Sequence, residues 1–115
     1  MIQSQISELD LRRIEQFCAA RVPSHARDQV RLEMDVRGRN VTIIERRAPW
    51  RPDQGPDWSA QPVASLRWSA AQRRWTLYWM DSKSAWHQYR GAGAFPTVSE
   101  MLDELDRDPS GFFWG

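Results

Sequence analysis

The chain is poor in cysteine, histidine and lysine, and it has no long apolar run. Its 115 residues hold one cysteine (Cys18), two histidines (His25 and His87) and one lysine (Lys83). A lone cysteine forms no internal disulfide. His25 and His87 are far apart in sequence, and Cys18 belongs to another element, so no zinc-type cluster is expected, and no cofactor. Apolar runs of a few residues exclude a membrane-spanning helix. The stretch from Met1 to Asp10 is polar and acidic, unlike a secretory leader. A cytoplasmic location and no membrane partner are expected.

Excess charge is also missing. The formal net charge is +1, which argues against a general polyanion binder. The charge is unevenly spread, however. Residues 21–74 carry eleven Arg and six acids, whereas residues 75–115 carry three basic residues and six acids. A G+C-rich coding sequence would favour Arg over Lys without any function. The alternative is selection for guanidinium forks that grip carboxylate or phosphate. Gly91-Ala92-Gly93-Ala94 lacks both the glycine fingerprint and the lysine of a phosphate loop, and reads as a hinge.

Aromatic residues are what the chain has in abundance. Trp50, Trp58, Trp68, Trp75, Trp79, Trp86 and Trp114 are seven tryptophans in a short chain. Each such ring can bury ~150–250 Å². They account for how a chain of this size builds a core.

Residues 7–21 have helical spacing, with Ser7 as cap and Leu11, Ile14, Phe17 and Cys18 on one side. Residues 29–37 alternate: Val30, Leu32, Met34 and Val36 against Arg31, Glu33, Asp35 and Arg37. Gly38-Arg39-Asn40 is a tight turn and 41–47 the returning strand. Residues 48–62 hold four prolines and read as a long mobile loop flanked by Trp50 and Trp58. Strands follow at 63–69, 75–80 and 86–90, joined by short turns. A second helix begins at Pro96-Thr97 with a Thr-x-x-Glu box and carries Val98, Met101, Leu102 and Leu105. Asp108-Pro109 ends it. The apolar tail from Gly111 to Gly115 should fold back onto the sheet. The predicted fold is one α+β domain over residues 1–115: a five-stranded antiparallel meander flanked by an N-terminal and a C-terminal helix. Two helices suffice to cover one face of that sheet.

Val41-Thr42-Ile43-Ile44-Glu45-Arg46-Arg47, Trp75-Thr76-Leu77-Tyr78-Trp79, Trp86-His87-Gln88-Tyr89 and the closing Phe112-Phe113-Trp114-Gly115 together form a pattern. It resembles a bacterial family of short proteins, the domain of unknown function 3024. The resemblance covers about residues 5–115. It implies a small bacterial protein of one domain with no assigned activity, so no catalytic residue is carried over.

Candidate site residues come from the strands. Glu45, Arg67 and Tyr78 fall on three consecutive strands, so the geometry permits a Glu–Arg–Tyr row across one face. Ordinary cross-strand pairing would account for such a row. The functional version is an Arg-lined groove, with Arg67 and Arg46 or Arg47 binding an anion and Tyr78 or Trp68 forming the wall. His87 is the only base in the strand region, and a meander keeps it away from Glu45. No catalytic constellation emerges, so the chain does not read as an enzyme. The expectation is a non-enzymatic binding or interaction module using an Arg- and aromatic-rich sheet face, with a homodimer or another protein as partner. Two alternatives remain open. One is a small anion-binding protein or enzyme with a groove around Arg67 and His87. The other, disfavoured, is single-stranded nucleic-acid binding by Arg and aromatic residues.

Overall fold

The structure is a computed structural model that describes residues 5–49, 51, 53 and 55–115. Trp50, one of the two tryptophans expected to flank the long loop, lies outside the described residues. Helix α1 runs Glu8–Arg21, and the Ser7 hydroxyl accepts from the Asp10 amide at 3.1 Å. That bond satisfies one of the amides a helix start leaves unpaired. A short helical turn, Ser24–Ala26, leads to the sheet. Strands β1 (Val30–Arg37), β2 (Asn40–Arg47), β3 (Ser59–Ser69), β4 (Arg74–Met80) and β5 (Trp86–Gln88) pair in sequence order, every pair antiparallel. Helix α2 spans Val98–Arg107, with the Thr97 hydroxyl accepting from the Glu100 amide at 3.2 Å. The α+β fold expected from the sequence is the fold observed.

The start of β3 and the end of β5 differ from expectation, each for a physical reason. β3 begins at Ser59, inside the segment read as loop, and pairs with the end of β2 through Arg47↔Ser59. The register shifts between Ile43 and Ile44, opposite Ala64 and Pro62, leaving Val63 as an extra residue. Such a bulge interrupts the hydrogen-bond ladder and so accommodates a proline, which has no N–H to donate. β5 is shorter than 86–90. Beyond it the Tyr89 amide still bonds the Leu77 carbonyl at 2.8 Å, and then the chain turns away. Phe95 returns to exchange backbone bonds of 2.8 and 2.7 Å with Trp75. The Gly91–Ala94 break thus lets a distant residue continue the pairing of β4.

One core lies between the sheet and the helices. Val41, Ile43, Ala64, Leu66, Trp75 and Leu77 come from one sheet face. Ile14 and Cys18 of α1 and Val98, Met101, Leu102 and Leu105 of α2 meet them. The tail folds back as expected. Asp108 ends α2 in the left-handed region (φ 43°). Its carboxylate accepts from the amides of Phe113 (3.3 Å) and Trp114 (2.8 Å), while the Trp114 indole donates to the Leu105 carbonyl at 2.8 Å. Phe113 is buried against Tyr89.

Candidate binding face

Pleating assigns each strand residue to a face. The core face takes Val41, Ile43, Ala64, Leu66, Trp75 and Leu77, and both helices lie there. No helix among the described residues lies on the opposite face. Its middle row is read from the register: Asp35, Thr42, Ser65, Tyr78 and Gln88 are successive cross-strand partners. Arg67 and Arg74 lie on the same face toward one end, with Met80 and Trp86 toward the other.

Arg67 organises the centre of this face. Its Nε donates to the Ser65 hydroxyl at 3.1 Å, and its guanidinium carbon sits 3.7 Å from the centre of the Tyr78 ring. A cation over an aromatic ring contributes roughly 0.5–2 kcal/mol, more as water is excluded. Ser65 is buried beneath the cluster. Among the described residues, neither Arg67 nor Arg74 has a carboxylate within ion-pair distance. The β1 side of the face is different. Arg46 pairs with Glu33 at 2.5 Å and Arg37 with Asp35 at 3.0 Å. Arg37 and Arg46 are thus compensated toward the β1 side, where Arg31 instead bonds the Arg27 carbonyl and covers the Trp58 ring, and the Arg67–Arg74 corner is left uncompensated.

The expected site residues divide between the faces. Arg46, Arg67 and Tyr78 share the helix-free face. Glu45 pairs with Leu32 and projects to the helix side, where it bonds Arg47 at 2.8 Å. There it lines a hollow of about 280 Å³ with Arg21, Val22, Leu32 and Trp114. Trp68 also faces the helix side, its ring 5.5 Å from that of Trp75. The Glu–Arg–Tyr row is thus broken, because Glu45 alternates with Val41 and Ile43 on the core face, whereas Arg67 is opposite Asn40 on the other. Nor is there one groove around Arg67 and His87. Arg67 is opposite Thr76 and His87 opposite Trp79, so they lie on opposite faces.

His87 has a partner that sequence reasoning missed. Its Nε2 is 2.5 Å from an Asp81 oxygen. The other Asp81 oxygen accepts from the amides of Lys83 and Ala85. The Asp81 carboxyl is held below its ordinary value, chiefly by the His87 bond and then by the Ala85 amide. An Asp opening a tight turn between two strands was the available signal. The His87 ring stacks on Trp79 at 4.7 Å, and Phe112 of the tail stacks on Trp79 at 4.3 Å. Among the described residues no Ser, Thr or Cys side chain hydrogen-bonds His87. Cys18 is buried, and desolvation, reinforced by nearby Glu15, pushes its thiol up to about 11. It is protonated at neutral pH and therefore a poor nucleophile. No three His, Cys, Asp or Glu side chains among the described residues come together as metal ligands. No helix among them is long and apolar enough to cross a membrane.

The comparison with known families follows from this whole-chain pattern of sheet, helices and folded-back tail. A family model described as "Domain of unknown function (DUF3024)" matches residues 1–115. The chain belongs to the DUF3024 family. No curated protein and no solved structure matches it. For this DUF3024 chain, function must therefore be argued from the two faces of the sheet themselves.

Proposed function

We propose that this DUF3024 chain is a non-catalytic binding module that presents the helix-free face of its sheet to a protein partner. In this reading Arg67, with Arg74 beside it, holds a carboxylate of an acidic segment of that partner. The observation that carries it is the uncompensated pair of guanidinium groups at one corner of a face with no helix over it. Arg67 is held in place by Tyr78 and Ser65, so little side-chain freedom remains to be lost on binding. Arg and Tyr are also the residue types that dominate interface energetics. Nucleic-acid stacking is the weaker reading, because the Arg67 guanidinium already occupies one face of the Tyr78 ring.

The test is a titration of isotopically labelled chain with a Glu-rich peptide, followed by NMR. Shifts clustered at Ser65, Arg67 and Tyr78, lost in Arg67→Ala at unchanged melting temperature, are expected. No shifts, or shifts centred on His87 and the helix side, would overturn the reading. A parallel titration with oligo-deoxythymidine discriminates the classes. Tight binding that falls steeply with salt would mark a nucleic-acid surface instead.

A further inference from the structure

The strand register gathers unpaired arginines at one end of the sheet. Asn40↔Arg67 and Arg67↔Thr76 are successive partners there, and the Arg39 carbonyl accepts from the Trp68 amide at 2.9 Å. Arg74 opens β4 at the same end, opposite Ser69, and donates to the Arg73 carbonyl at 3.0 Å. Beyond β5, Arg90 follows Tyr89, whose amide bonds the Leu77 carbonyl, so it leaves the sheet at this end too. Among the described residues, none of Arg39, Arg67, Arg74 and Arg90 has a carboxylate within ion-pair distance. Arg39, Arg74 and Arg90 are exposed. The ends of four strands thus bring together positive charge that a net charge of +1 conceals.

This row runs across the strands, not along them. Along the helix-free face, β3 continues from Arg67 with Ser65, and β4 continues from Arg74 with Thr76, Tyr78 and Met80. Farther off, Arg46 is held by Glu33, and Arg31 bonds the Arg27 carbonyl and covers the Trp58 ring. Adjacent strands lie ~4.8 Å apart, so the backbone from β2 to β5 spans about 14 Å. In an extended segment, side chains on one side recur every ~6.6 Å, so three acids at alternate positions span about 13 Å. The Tyr78 ring beside the row already carries the Arg67 guanidinium on one face. The row therefore offers charge more than a platform for stacked bases.

We propose that the protein partner presents an acidic run, with carboxylates at about three alternate positions, laid across the strand ends from Arg39 through Arg67 and Arg74 to Arg90. This rests on the capture of an acidic segment at Arg67 and names what that segment must carry. One carboxylate would neutralise only part of the row, whereas a run of that length meets all of it.

The experiment is an NMR titration of the full chain with two peptides, Glu-Gly-Glu-Gly-Glu and Gly-Gly-Glu-Gly-Gly. The three-acid peptide is expected to bind roughly fivefold or more tightly than the one-acid peptide. Arg39→Glu and Arg90→Glu reverse the two ends of the row. Each should weaken the three-acid peptide severalfold more than the one-acid peptide, because only the longer run reaches the ends. Both side chains are exposed, and an unchanged melting temperature shows that each variant folds. Equal affinity for the two peptides, or a three-acid peptide indifferent to both reversals, would overturn the proposal. If Arg67→Ala still abolishes binding in that case, capture at Arg67 stands without the row; if neither peptide binds, both fall. Tighter binding of a four-nucleotide deoxythymidine oligomer, which carries three phosphates, would assign the row to nucleic acid and overturn it as well.

Discussion

The Tyr89 hydroxyl donates to the Glu104 carboxylate at 2.6 Å inside the core, joining the end of the sheet to α2. Both residues are buried, and the other Glu104 oxygen accepts from Arg107 at 2.8 Å. A carboxylate at a core position of an amphipathic helix is costly unless its oxygens are satisfied. Here both are.

Tyr89 should make the fold sensitive to alkali. Desolvation, reinforced by the Glu104 bond, raises its hydroxyl from 10.0 to about 12. A raised value stabilises the fold fully below the unfolded value and loses that contribution as pH climbs from 10 toward 12. The loss is on the order of 2–3 kcal/mol. Urea midpoints between pH 8 and 11.5 should fall for wild type and stay flatter for Tyr89→Phe. At neutral pH the same variant should cost about 1–3 kcal/mol, because Glu104 loses a donor. Parallel pH curves for the two proteins would contradict this.

Gly91 should not tolerate a methyl group. A Cβ there would lie 2.3 Å from the Tyr89 hydroxyl oxygen and 2.4 Å from the ring carbon bearing it. Gly91→Ala must therefore move a buried ring off Glu104, at about 1–3 kcal/mol. Gly93→Ala is the control: it meets nothing within 4 Å and has only the strain of φ 65° to bear. Thermal melts of both variants decide it, and an equal or smaller loss for Gly91→Ala would remove the steric argument.

Asp108 should act as the clamp of the tail. Asp108→Gly keeps the left-handed backbone easy to adopt but deletes the acceptor of the Phe113 and Trp114 amides. The expected effect is faster amide exchange at Phe113 and Trp114, a shifted Trp114 indole resonance and a loss of ~1 kcal/mol. Unaltered exchange at both amides would show that Phe113 burial alone holds the tail.

Local pattern carried most of the architecture. The alternation in 29–37, the caps at Ser7 and Thr97, the turn at Gly38 and the stop at Asp108-Pro109 are short-range consequences of chirality, hydrogen bonding and hydrophobic period. They were legible because the residues that cause them are adjacent. The start of β3 was not, since Pro62 reads as a strand breaker until a bulge at Val63 is present, and a bulge depends on the partner strand.

The candidate site divided the same way. Short turns and a meander put Arg67 and Tyr78 on neighbouring strands, and the register of β3 with β4 decided that they share a face. That Glu45 and His87 should not share it follows from pairing register, where a shift of one residue exchanges the faces. Nothing local in the sequence marks Glu104 as a core position, and the ring of Tyr89 brought against it explains its burial. Sequence determined the elements and their order, because those arise from neighbouring residues. Tertiary packing decided which side chains meet, because register, bulge and tail docking depend on residues far apart in the chain.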